Sequence, residues 1–201
     1  MFEKIIEFEQ QVADFYGAPY AVATDCCTHA IELCLHATNF DIISVPTHTY
    51  LSVPMTLTKL RKQWTWREDD WQDYYYLGNT NIIDGAVYWR NKGYIPGTLM
   101  CLSFQFKKHL SLGRGGMILL DDADLAKKLK CMSYDGRTPD CAWTEQDIKI
   151  YGYHYYLMPE LAIQGMEKLP EAITQPAKSW SYRNYPYLPD LTVFKDHENN
   201  S

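Results

Sequence analysis

Two adjacent lysines, Lys107 and Lys108, lie between the apolar run Leu99-Met100-Cys101-Leu102-Ser103-Phe104 and the glycine-rich turn Gly113-Arg114-Gly115-Gly116. The apolar run reads as a buried strand, and so does Gly116-Met117-Ile118-Leu119-Leu120, which puts the lysines on the connecting loop. An amine held there is partly withdrawn from water, and burial disfavours its charged form. The neutral amine can condense with an aldehyde, which is the first step of covalent amine chemistry. Taken alone, the segment fits two solvated loop lysines better than a reactive one, so the rest of the chain has to decide. A second chemical residue, Asp84, closes the short apolar run Asn81-Ile82-Ile83-Asp84, where the plain reading is a cap on the following turn.

The elements that must position these residues follow from the spacing of apolar side chains. Phe2, Ile5, Ile6, Phe8, Val12 and Phe15 recur at helical intervals before Gly17-Ala18-Pro19, which predicts an amphipathic helix over 2–16. A short strand, Tyr20-Ala21-Val22-Ala23, passes through the polar turn Thr24-Asp25-Cys26-Cys27-Thr28 into a second helix. Ile42 to Pro46 reads as a strand, followed by a helix that tolerates Pro54 in its first turn. Further helices are expected from Leu125 to Met132 and from Leu157 to Leu169, the latter ending before Pro170. Strand, turn and helix in this order give an α/β architecture, and the polar residues cluster at the carboxyl ends of strands, where open α/β sheets bind ligands. Beyond Pro170 the chain is rich in Pro, Tyr, Trp and Asn, which predicts an extended tail wrapped over the domain or a partner. The expected division is therefore 1–169 and 170–201.

Composition narrows the function. The chain has 201 residues, 46% of them hydrophobic, enough for one sizeable core. A net charge of -6 argues against nucleic acid and anionic membranes as partners. The cluster Lys59-Leu60-Arg61-Lys62 reads as a solvated face. The six cysteines show no metal-ligand or disulfide spacing, so no metal site is expected, and a reduced, cytoplasmic setting fits best. The amino-terminal residues do not resemble a signal peptide, and no apolar run is long enough to span a bilayer. The aromatic stretch Trp64, Trp66, Trp71 and Tyr74 to Tyr76 suits an interface or a core and sheet role equally.

Read in order, the segments resemble the DegT/DnrJ/StrS family of sugar aminotransferases, which are fold type I enzymes dependent on pyridoxal phosphate. Thr24-Asp25-Cys26-Cys27-Thr28-His29-Ala30 takes the place of that family's phosphate turn. Val45-Pro46-Thr47-His48-Thr49-Tyr50 resembles its Pro-x-x-Thr-aromatic segment, and Asp84-Gly85-Ala86 its Asp-Ala-Ala segment. Ser103-Phe104, Lys108 and the glycines after it match the lysine loop. Asp135-Gly136-Arg137 and Met158-Pro159-Glu160-Leu161 follow in register. The resemblance implies the large domain of fold type I, with a mainly parallel sheet, helices on both faces and the small C-terminal domain lacking. It implies that Lys108 carries the cofactor and moves the proton between carbons, and that Asp84 pairs with the pyridine nitrogen. Cys27, Thr28 and His29 would hold the phosphate at a helix N-terminus, Ser103 would add a hydroxyl, and Tyr50 would stack on the ring.

The chain departs from the family pattern at several points. Cys27 stands in place of the phosphate-turn glycine, Val87 in place of a Gln or His, His109 in place of Asn, and Arg114 in place of an acidic residue. Gly152-Tyr153-His154-Tyr155-Tyr156 only loosely matches the Gly-x-Asn-Tyr-Arg segment that crosses to a partner subunit. The resulting expectation is a homodimeric aminotransferase that takes an amino group from an amino acid, glutamate first, to a keto group on a nucleotide-linked sugar. Two rivals stand beside it. One is a dehydratase-like relative, in which histidine replaces the lysine; the other is a shortened scaffold that binds without catalysis.

Overall fold

The computed structural model describes residues 2–195. Helix α1 spans Phe2–Tyr16, with Ile5, Phe8, Val12 and Phe15 buried along one face. It stops at Gly17, whose φ of +73° belongs to the left-handed region that favours glycine at helix ends. Strand β1, Tyr20–Thr24, leads into α2, Cys27–Ala37; β2, Ile42–Pro46, leads into α3, Ser52–Lys59. Then come β3 (Gln63–Arg67), β4 (Tyr75–Tyr76), β5 (Ile82–Asp84), β6 (Leu99–Ser103) and β7 (Gly116–Leu120). Helices α4, Ala123–Ser133, and α5, Pro159–Thr174, complete the regular elements.

Five strands form one sheet in the order β1-β7-β6-β5-β4, and β2 and β3 pair separately. The sheet is mixed rather than mainly parallel. Among the described residues, strands β5–β6 and β2–β3 run parallel and the other strand pairs are antiparallel. Connection geometry is the reason. Residues 85–98 and α3 provide the long crossovers that parallel pairing requires. The loop 104–115 instead leaves and re-enters the sheet at the same end, because Ser103 lies opposite Gly116.

Helices cover both faces, as the alternation of side chains demands. Met117 and Leu119 of β7 join a cluster with Phe8 and Val12 of α1 and Ala162 and Leu169 of α5. Ile118 and Leu120 point the other way, into a cluster with Leu33 of α2 and Leu129 of α4. Trp64, Trp71 and Tyr75 are buried, so these aromatics belong to the core and sheet.

Helix α5 runs through Pro170 instead of ending before it. A proline in a helix interior costs about 3 kcal/mol. Burial of Leu169, which stabilises by roughly 1.5–3 kcal/mol, offsets much of this. The last turn is also held by the buried Ala172, whose carbonyl lies 2.8 Å from His109 Nε2. The extended segment after Thr174 is stitched to the domain by backbone bonds. Asp73 N–H donates to Trp180 O (2.8 Å), Tyr182 N–H to Trp71 O (3.1 Å) and Leu188 N–H to Thr47 O (2.9 Å). Further along, Phe194 packs edge-on against Trp66. The outer ends of the expected ranges, residue 1 and residues 196–201, lie outside the described residues. Among the described residues no helix is long and apolar enough to cross a membrane.

Candidate functional site

The turns after β1 and β2, the ends of β5 and β6, the lysine loop and the C-terminal segment converge on one cavity of about 480 Å³. That volume lies in the range usual for small-molecule sites. Cys27, Thr28, Tyr50, Asp84, Ser103 and Lys108 all line it. These residues come from four separate stretches of sequence, and the fold brings them together.

Asp84 is fully enclosed at the end of β5, and its two carboxylate oxygens have separate donors. Tyr75 Oη donates to Oδ2 at 2.6 Å, and the Ala86 N–H donates to Oδ1 at 2.9 Å. Burial pushes the carboxyl above its usual range, while the Tyr75 and Ala86 bonds and the charge of Lys108 pull the other way. A carboxylate in this state gains from a cationic N–H placed against it.

Lys108 has the complementary problem. Burial lowers its pKa, and the nearby Asp84 opposes that shift. Among the described residues no hydrogen bond or ion pair holds its Nζ, which stands 5.5 Å from the centre of the Trp180 ring. Lys107, by contrast, is exposed. Both lysines line the cavity, and of the two Lys108 is the one whose amine is partly desolvated.

Helix α2 starts without a side-chain cap on Cys26. Its first intrahelical bond runs from Ala30 N–H to Cys26 O, so the N–H groups of Thr28 and His29 have no partner within the helix, beside a cavity that Cys27 and Thr28 line. Thr28 Oγ1 lies 2.8 Å from Ser52 Oγ. The Cys27 thiol is pushed well up, by burial first and then by Asp84, so it stays protonated.

The side chain of His29 does not line the cavity. Its Nδ1 lies 2.6 Å from Asp25 Oδ1, and its ring stacks on Tyr155 at 3.7 Å. Burial opposes its charge, but the bonds to Asp25 and Cys26 outweigh burial and raise its pKa to about 9. The neighbouring His109 also faces away: it bonds to Ala172 O and stacks on Trp89. The histidine next to Lys108 is thus engaged with α5 and Trp89.

Several lining residues escaped the sequence reading. Tyr75 sits within a run of three tyrosines that carries no local signal. Trp180, Asn184 and Tyr185 reach the cavity from the C-terminal segment, where composition indicated only a wrapping tail. Arg114 also lines the cavity; its replacement of an acidic residue was visible in the sequence, but its partner was not.

Together these groups offer a nucleophilic amine, a buried carboxylate for a basic ring nitrogen, free helix N-terminal N–H groups for an oxyanion, and an aromatic, Tyr50, at the wall. That donor set fits a ligand that combines an aldehyde, a pyridine and a phosphate.

The model of the DegT/DnrJ/EryC1/StrS aminotransferase family matches residues 1–65 and 86–184. Those ranges contain Cys27, Thr28, His29, Tyr50, Ser103 and Lys108, while Tyr75 and Asp84 fall between them. GDP-perosamine synthase of Caulobacter vibrioides is 25% identical over an alignment of 210 positions, which covers 82% of this chain and 56% of that protein. AtS13 from Actinomadura melliaura superposes with a TM-score of 0.76 at 18% identity, over 86% of this chain and 61% of the other. The PLP form of Spr1654 from Streptococcus pneumoniae superposes with a TM-score of 0.75 at 15% identity, over 96% and 80%. At such identities the superpositions establish the fold, that of the large α/β domain of type I pyridoxal-phosphate-dependent transferases. The chain spans about half the length of the curated relatives it matches.

Proposed function

The chain belongs to the DegT/DnrJ/EryC1/StrS aminotransferase family, and from that membership we propose that it is a pyridoxal-phosphate-dependent aminotransferase. In this reading it moves an amino group from an amino acid, glutamate first, to a keto group of a nucleotide-linked sugar. The observation that carries the proposal is the meeting of Lys108 and Asp84 in one cavity, beside the uncapped first turn of α2.

When bound, pyridoxal phosphate supplies an aldehyde for covalent attachment of amines and a ring that withdraws electrons from the attached carbon. The protein does the rest. Lys108 Nζ, whose pKa burial lowers, would be the amine that holds the aldehyde and, when free, would carry the proton between carbon positions. Asp84 would keep a proton on the ring nitrogen, with Tyr75 and the Ala86 N–H fixing the carboxylate. Thr28, Ser103 and the first-turn N–H groups of α2 would hold the phosphate. Tyr50 would cover one ring face, and Trp180 stands with its ring centre 5.5 Å from Lys108 Nζ. A homodimer in a reducing, cytoplasmic setting completes the reading; exposed Tyr50 and Phe106 at the cavity and six free cysteines are in keeping with it.

The competing reading, a shortened scaffold without catalysis, draws on Val87. It presents an apolar side chain to the cavity where the resemblance calls for a partner to the cofactor's ring hydroxyl. A single-turnover assay separates the two. Protein loaded with pyridoxal phosphate and mixed with glutamate is expected to release one equivalent of 2-oxoglutarate per chain, and Lys108→Ala none. Cofactor binding without release would favour the scaffold.

A further inference from the structure

We propose that Arg114 is an oxyanion-binding residue of the cavity, held in place by Asp25 and His29 to receive a phosphate-class group of a ligand. The guanidinium is clamped on one side only. Its Nε donates to the backbone oxygen of Asp25 at 3.2 Å, and its Nη2 donates to Asp25 Oδ2 at 2.7 Å. The second carboxylate oxygen is engaged by His29 Nδ1 at 2.6 Å, and the His29 ring lies nearly parallel to Tyr155, with 11° between the planes. The orientation of Arg114 is thus fixed through Asp25, His29 and Tyr155, while Nη1 has no protein partner among the described residues. A planar guanidinium fixed in this way can present its remaining N–H groups to an oxyanion at little further entropic cost.

The surroundings favour an anion. Arg114 lines the cavity and Asp25 does not, so the acidic partner stands behind the arginine. The charged side chains that line the cavity are Lys107, Lys108 and Arg114 against Asp84 alone, within a chain of net charge -6. The loop is also docked against the first turn of α2, since Gly115 pairs with Cys26 in a parallel bridge. Arg114 and the free N–H groups of that turn therefore flank the same rim. Asp25, Cys26 and His29 do bring potential metal-binding atoms within 4.8 Å of one another. Both oxygens of Asp25 are already committed to Arg114 and His29, however, so a cation would have to break the clamp that an anion would use.

Two sources could supply the group: the phosphate ester of the cofactor, or the phosphates of a nucleotide-linked substrate. The choice between them rests on the aminotransferase reading; the anion chemistry does not. Calorimetric titrations of pyrophosphate, pyridoxal phosphate, pyridoxal and a nucleoside diphosphate into the wild type, Arg114→Gln and Arg114→Lys test the proposal. Pyrophosphate affinity is expected to fall tenfold or more in Arg114→Gln and to recover in part in Arg114→Lys, with pyridoxal unaffected. A parallel loss for pyridoxal phosphate assigns the cofactor as the source, and a parallel loss for the nucleoside diphosphate assigns the substrate. Unchanged pyrophosphate affinity in Arg114→Gln, or none in the wild type, overturns the proposal. Because this titration needs no bond to Lys108, Arg114-dependent binding without amino transfer would leave the inference standing and sink the functional reading.

Discussion

Tyr75 and Asp84 lie opposite each other in the antiparallel register of β4 and β5, with Tyr75 Oη 2.6 Å from Asp84 Oδ2. Tyr75 also bonds to Thr49 Oγ1, so it links the turn after β2 to the carboxylate. Replacing it with phenylalanine leaves a buried carboxylate and a buried hydroxyl each short of a partner, a cost of about 1–3 kcal/mol per group. Tyr75→Phe is expected to lower the denaturation midpoint. It is also expected to weaken pyridoxal phosphate binding, because Asp84 then titrates still higher. Chemical denaturation and a cofactor titration on the same variant check both effects.

The charge of Asp84 raises the pKa of Lys108, and burial lowers it by more. The pH midpoint for covalent capture of pyridoxal phosphate by the wild type is therefore expected below the 10.5 of a free lysine. Asp84→Asn removes the opposing charge and should move that midpoint lower still. An unchanged midpoint would mean that the two groups are not coupled across the cavity, and an upward shift would contradict the sign of the coupling. The visible absorption of the lysine-bound cofactor, followed against pH, reads the midpoint directly.

His29 is held above its usual 6.5, at about 9, by Asp25 and Cys26 against the opposing effect of burial. A folded-state pKa above the unfolded value means that the protonated histidine stabilises the fold fully below about 6.5. That contribution is lost as pH rises through about 9. The melting temperature of the wild type is expected to exceed that of His29→Gln most at about pH 6, with the gap closing by about pH 9.5. A gap that widens with pH would contradict the assignment.

Gly116 opens β7 against the turn before α2. A Cβ added there would lie 2.5 Å from Cys26 C and Cys27 N, both backbone atoms that cannot rotate away. Gly116→Ala is expected to destabilise by about 1–3 kcal/mol, as overpacking does. It should also weaken cofactor affinity by displacing the first turn of α2, whereas a loss of stability alone would separate that turn from phosphate binding. Thermal melts beside pyridoxal phosphate titrations give both readouts.

The parts of this molecule that were legible in the sequence are those whose signal is local. The apolar period of α1, the run of β7 and the glycine stop after Tyr16 need no tertiary information. The placement of Cys27, Thr28, Tyr50, Asp84, Ser103 and Lys108 at strand ends was also readable, because an α/β order puts strand termini on one rim. Strand β3 was hidden although Gln63-Trp64-Thr65-Trp66-Arg67 alternates, because the charges flanking it suggested a surface. Tyr75 could be found only from the strand register, a long-range fact. The sheet's mixed direction depends on the loop 104–115 returning at one end, which length alone does not reveal. The side chain of His29 turned from the cavity because Asp25, four residues earlier, lies within its reach, and Tyr155 supplies a face to stack on.

The account rests on Lys108, rather than its exposed neighbour Lys107, being the residue that anchors the cofactor. Incubation with pyridoxal phosphate, borohydride reduction and peptide mass mapping tests this most directly. The expected result is one phosphopyridoxyl group per chain, located on Lys108 and absent from Lys108→Ala. A stable adduct on Lys107 in the wild type, or no site-specific adduct at all, would contradict it.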